Sequence, residues 1–256
     1  MQLNKSLGFH EVKKLNFWRA VFAEFLVSVI YIIIACGCGL SLSGNAPSHL
    51  HIALTVAFTV AVLASAFWDV SGGHFNPVVT LALLIKGDVS LTRFCFYVFA
   101  QCLGSVAGCG LLYLYTPENF RGTLGALSVH KDISPGIACA VEITLTFQLI
   151  WTVMASTDPI KNFTGFQAPL AIGLSVGIGL LVGIPYTGAA LNPIRAFGPA
   201  IVMNKRQDHW VYWLGPFVGS ALATLSYEYV FKLTLEKIEE VDEKSETKRN
   251  NFAMQA

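Results

Sequence analysis

Two Asn-Pro pairs, each entered through a run of small residues and each set between long apolar stretches, constrain this chain more than any other feature. The first lies in Ser71-Gly72-Gly73-His74-Phe75-Asn76-Pro77-Val78-Val79-Thr80 and the second in Gly188-Ala189-Ala190-Leu191-Asn192-Pro193-Ile194-Arg195. Proline suits the first turn of a helix, where its missing N–H is no loss, and an asparagine just before it is a favoured cap. A short helix is therefore expected to start at each pair. At membrane depth neither such a loop nor Arg195 faces lipid, because each unsatisfied polar group there costs several kcal/mol. They line a cavity. Similarly placed interruptions in two halves of a membrane chain point to a binding or conduction site.

The membrane reading rests on composition. With 256 residues, 54% hydrophobic and only 13% charged, and a mean hydropathy of +0.57, the chain is too apolar for a soluble domain of this size. A spanning helix needs about 20 apolar residues, and six stretches qualify: 18–40, 52–68, 91–115, 136–156, 168–184 and 209–231. Segments 70–85 and 188–203 hold the Asn-Pro loops with their half-helices. The expected fold is thus an all-α membrane protein of six transmembrane helices plus two re-entrant half-helices. Residues 1–17 form an N-terminal segment without a cleavable signal, residues 18–231 the membrane domain, and residues 232–256 a charged tail.

Arg121, Lys131, Arg195, Lys205 and Arg206 fall on one side or in the lumen, and the other twelve of the seventeen basic residues share a side with both termini. Both termini are therefore expected in the cytoplasm, with the protein in the plasma membrane. Three spans per half then make the halves inverted copies, about 18–115 and 136–231. The copy is visible in the residues: Ala23-Glu24-Phe25 matches Val141-Glu142-Ile143, Asn76-Pro77 matches Asn192-Pro193, and the offsets are 118 and 116. A glutamate inside a span is costly, so Glu24 and Glu142 are expected to turn inward and accept hydrogen bonds from the loops. A proton relay is the rival reading.

At these residues the chain resembles the aquaporins, the major intrinsic protein family, over nearly all of 18–231. The resemblance implies a passive water channel and a homotetramer with one pore per subunit, in contact with the lipid bilayer. The usual Asn-Pro-Ala is replaced here by Asn76-Pro77-Val78 and Asn192-Pro193-Ile194. Counting from the asparagines, the family's selectivity filter falls on Val56, Leu180, Ala189 and Arg195. Water-selective members resemble one another in an aromatic and a histidine at the first two positions, so Val56 and Leu180 imply a wider, more apolar constriction that admits small neutral solutes. Glycerol-conducting members share an Asp after the Arg, where this chain has Ala196, and Tyr212-Trp213 follows the water-type pattern. A glycerol or urea channel is the near alternative, and a non-conducting membrane junction protein is a more distant one.

Other features receive plainer readings. His74 lines the pore mouth or makes a structural hydrogen bond. The six cysteines lie in or beside apolar segments and read as buried thiols, and Cys36-Gly37-Cys38 alone is too little for a metal site. No cofactor is implied and no enzymatic pair of acid and base exists outside the two separated glutamates. No basic run suits nucleic acid. Phe94, Phe96, Tyr97 and Phe99 read as lipid-facing, while Gly104-Ser105, Gly108 and Gly110 suggest close helix packing. The sequons at Asn4 and Asn162, on the cytoplasmic side, are expected to stay unmodified, and Ser245 and Thr247 to be solvated tail.

Overall fold

The computed structural model describes residues 7–42, 44–159 and 165–232. Both sequons, Ser245, Thr247 and the tail beyond 232 lie outside these. Every regular element among the described residues is helical. A 3-10 turn, Phe9–Lys13, precedes α1 (Leu15–Gly37) and α2 (His49–Ser71). The short α3 (Pro77–Lys86), the long α4 (Leu91–Tyr115), a 3-10 turn at Glu118–Phe120 and α5 (Pro135–Ser156) follow. Then come α6 (Gln167–Thr187), the short α7 (Pro193–Val202) and α8 (Val211–Ser226), which continues as a π turn over Tyr227–Phe231. Five helices are long and apolar enough to cross a membrane by themselves. The sixth, α8, is 16 residues of α-helix and gains its remaining length from the π turn. The chain is a multi-pass membrane protein.

Local chemistry sets the helix ends. Ser48, Ser90 and Ser134 cap α2, α4 and α5 by accepting from the backbone N–H three residues on. Gly72 and Gly188 end α2 and α6 in the left-handed conformation, where a side chain is disfavoured and the chain turns sharply into each Asn-Pro loop. The predicted spans differ from these bounds by up to three residues at most helix ends, because caps, not hydropathy, stop the backbone ladder.

The halves repeat each other in packing. Helix α1 lies against α4 as α5 lies against α8, α1 against α2 as α5 against α6, and α4 holds α7 as α8 holds α3. Helices α2 and α6 meet across the pseudo-twofold axis. Glycine makes these approaches possible: a Cβ at Gly104 would lie 2.4 Å from the Phe25 carbonyl oxygen, and one at its repeat partner Gly219 would lie 2.4 Å from that of Ile143. Gly110 departs from expectation, since nothing lies within 4 Å of the Cβ it lacks. Tyr97 departs as well. It is buried, not lipid-facing, because its hydroxyl donates to the Ser71 carbonyl at 2.9 Å, whereas Phe99 is exposed. The six cysteines are free, and Cys95 is exposed while Cys36, Cys109 and Cys139 are buried.

Candidate functional site

Each Asn-Pro loop is folded around a buried carboxylate. Glu24 accepts from the Ser71 hydroxyl at 2.6 Å, from the backbone N–H of His74 at 2.9 Å and of Phe75 at 2.7 Å, and from the Gln101 amide at 2.8 Å. Glu142 accepts from the Thr187 hydroxyl at 2.6 Å and from the backbone N–H of Ala190 and Leu191 at 2.9 and 3.1 Å. These donors sit 116 residues apart in pairs, Ser71 with Thr187 and His74 with Ala190. Both carboxylates are fully buried. Their hydrogen bonds hold Phe75 and Leu191 at positive φ, 30° and 51°, a conformation that costs an L-residue about 1 kcal/mol or more and persists only where its surroundings enforce it.

The two loops then meet. Asn76 caps α3 by accepting from the Val78 N–H at 3.1 Å, and its amide donates to the Leu191 carbonyl at 3.1 Å. Asn192 caps α7 by accepting from the Ile194 N–H at 3.1 Å and donates to the Phe75 carbonyl at 2.9 Å. Each NH₂ has two hydrogens, so each keeps a second N–H beyond the cross-loop bond. Both asparagines line one cavity, and the positive dipole ends of α3 and α7 converge there. Pro77 and Pro193 occupy the first turn of their helices. Val78 and Ile194 are buried and face away from that cavity's lining. Their carbonyls accept from the hydroxyls of Ser220 and Ser105, 115 residues apart, which pin the half-helices to α8 and α4.

The lumen consists of two compartments. The first, about 260 Å³, is lined by both asparagines, Phe75, His74, Leu149, Val153 and, toward its mouth, the ion-paired Lys86 and Asp88. The second, about 200 Å³, brings Val56, Leu180, Ala189 and Arg195 together with the backbone of Gly125 to Leu127. Arg195 is the one charged side chain among the described residues lining it, and its Nη1 donates to the Gly125 carbonyl. Register on α2 follows from exposure: Val56 is 3% exposed and faces the lumen, while Phe58 is 54% exposed on the outer surface. His74 is buried, with Nδ1 3.1 Å from the Thr80 hydroxyl and its ring edge-on to Tyr97, so it is both a lining residue and a hydrogen-bonded one.

Several partners escape a reading of motifs alone. Gly125 lies in a connection of no regular pattern, Gln101 belongs to one half only, and Tyr31 is an aromatic in an apolar span like many others. Ser71 with Thr187, Tyr97 with Tyr212, and Ser105 with Ser220 are the exceptions, because the repeat offset finds them. Both tyrosine hydroxyls donate at 2.9 Å to the carbonyls of Ser71 and Thr187.

Six spanning helices in two inverted halves, with two half-helices meeting at capped asparagines beside an arginine-lined compartment, define a membrane channel of the aquaporin class. A model of the family described as major intrinsic protein matches residues 11–227. Among curated relatives, aquaporin-5 of Sus scrofa is 46% identical over 221 residues, covering 86% of this chain and 83% of that one. Aquaporin-4 of Notomys alexis is 42% identical over 219 residues, covering 84% and 67%. The aquaglyceroporin of Plasmodium falciparum superposes with a TM-score of 0.75 at 23% identity, over 84% of this chain and 96% of that one, a likeness of fold. The chain belongs to the major intrinsic protein family.

Proposed function

We propose that this protein is a passive water channel of the plasma membrane, a homotetramer with both termini in the cytoplasm. One observation carries the channel reading: two half-helix N-termini and the spare amide hydrogens of Asn76 and Asn192 converge on a lumen otherwise lined largely by apolar side chains. A water molecule there accepts from the asparagines and so turns its own hydrogens outward along the pore. That orientation interrupts a chain of waters able to pass protons. The helix dipoles and Arg195 oppose cations, a selectivity device general to aquaporin-type pores. Glu24 and Glu142 act as scaffold for the loops and not as a proton relay, because every donor around them belongs to the loop each carboxylate folds or to a neighbouring helix. No bond is made or broken in transport.

Val56 and Leu180 beside Ala189 and Arg195 favour passage of small neutral solutes as well, since the compartment has aliphatic walls and a single charged donor. The balance of lysines and arginines supports the orientation, and the apolar outer faces of the helices suit lipid and neighbouring subunits.

Stopped-flow light scattering of proteoliposomes holding the pure protein tests this. With sucrose outside, shrinkage well above that of empty vesicles is expected. With glycerol or urea outside, shrinkage followed by reswelling marks solute passage, and shrinkage without recovery marks a strict water pore. Shrinkage no faster than in empty vesicles removes the reading.

A further inference from the structure

The two compartments share three lining residues, Tyr31, Val176 and Ala190. They lie where the asparagine compartment adjoins the one holding Val56, Leu180, Ala189 and Arg195. Of the three, only Tyr31 is large. It is buried, and its ring lies 5.4 Å from that of Phe75 at a tilt of 47°. Phe75 is itself fixed, because its N–H donates to Glu24 at 2.7 Å and its carbonyl accepts from Asn192 at 2.9 Å. The Tyr31 ring is thus backed by a residue that the scaffold of both halves holds in place.

We propose that Tyr31 sets the solute size limit of this pore, at the neck it forms with Val176 and Ala190, and that the ring of Val56, Leu180, Ala189 and Arg195 is the wider section. The inference rests on the reading of the protein as a water-conducting channel. The physical ground is that a pore selects where it is narrowest and least able to deform. Val56 and Leu180 offer short aliphatic walls, whereas a tyrosine pressed on Phe75 offers a rigid face with a hydroxyl at its edge. Water crosses this face by exchanging one hydrogen bond for another at the hydroxyl and the neighbouring Asn192 amide. A polyol has to pass the ring with its whole carbon chain.

The test compares the full-length wild type with Tyr31→Ala, Tyr31→Leu, Tyr31→Phe and Val56→Phe in proteoliposomes, reading water and glycerol permeability on the same vesicles. Tyr31→Ala and Tyr31→Leu are expected to raise the glycerol-to-water ratio about tenfold, which corresponds to roughly 1.4 kcal/mol in the relative barrier. Tyr31→Phe keeps the ring and is expected to leave the ratio within about twofold while slowing water. Water conduction by each variant reports that it has folded, and the leucine variant keeps an apolar side chain at the site should the alanine variant fail to fold. Variants that conduct water with an unchanged ratio at Tyr31, alongside a ratio that collapses in Val56→Phe, would overturn the neck and leave the channel reading standing. A wild type that conducts no water would overturn both.

Discussion

Glu24 and Glu142 occupy equivalent places yet are satisfied unequally, four donors against three. The missing donor has a simple cause: the repeat position of Gln101 is Pro216, whose ring has no group to give. In either half, replacing the carboxylate by an amide turns an NH₂ toward backbone donors, at about 1–3 kcal/mol for each group left unpaired. Glu24→Gln and Glu142→Gln are therefore both expected to lower the unfolding midpoint of the detergent-solubilised protein by several degrees. Gln101→Leu, which removes one donor from Glu24, is expected to lower it less. Outside the membrane, Glu11 offers a pH prediction. Burial alone would raise its pKa, but the Ser90 hydroxyl and the Arg93 guanidinium, 2.6 Å away, outweigh burial and hold it below the ordinary 4.5. A depressed acid stabilises the fold above its unfolded value and loses that stabilisation only as pH falls through the lower one. Docking of the 3-10 turn Phe9–Lys13 should then be unchanged between neutral pH and about 5. Glu11→Gln should weaken it by about 1 kcal/mol at any such pH, seen as faster amide exchange in that turn.

Among the elements, close helix contact decides stability more than hydrophobic content does, because lipid is as apolar as any side chain and gives no drive to pack. The carbonyl of Ala57 on α2 would lie 2.3 Å from a Cβ at Gly173 on α6. Gly173→Ala must push these helices apart, at about 1–3 kcal/mol for overpacking. Gly110→Ala adds a methyl where nothing lies within 4 Å. It is expected to be neutral or to stabilise α4 by up to about 1 kcal/mol through better helix propensity. Thermal unfolding of the two variants side by side separates a glycine needed for approach from one that is not. The spacing of Gly104, Gly108 and Gly110 along one span does not distinguish them, since only the position of the partner helix does.

For the whole molecule, the two halves are tied at the centre by a reciprocal pair of bonds, Asn76 to the Leu191 carbonyl and Asn192 to the Phe75 carbonyl. Each bond is made by the other half's motif, so neither loop holds its place alone. Loss of one loosens the loop that carries the other's acceptor and so already weakens the second bond, and the two losses should not add. The double variant Asn76→Ala with Asn192→Ala is expected to fall short of additivity in unfolding free energy by at least about 0.5 kcal/mol, the range usual for groups in one network. Single and double variants measured by thermal unfolding in one detergent give the cycle directly.

Much of the architecture was legible in the order of residues: six spans, two half-helices opening at Asn-Pro, the inverted repeat and the inward-turning glutamates. Apolar length, proline and cap chemistry act over a few neighbours, and a duplication leaves its offset in the numbering, so linear order carries them. What only the tertiary structure decided is which groups meet across the halves. The cross-loop amide bonds, the Gly125 carbonyl on Arg195 and the neck at Tyr31 join residues that sequence spacing does not relate. Their cause lies in how two inverted copies pack, with α2 against α6 and loop against loop. That contact is long-range, and it determines where the lumen is narrow.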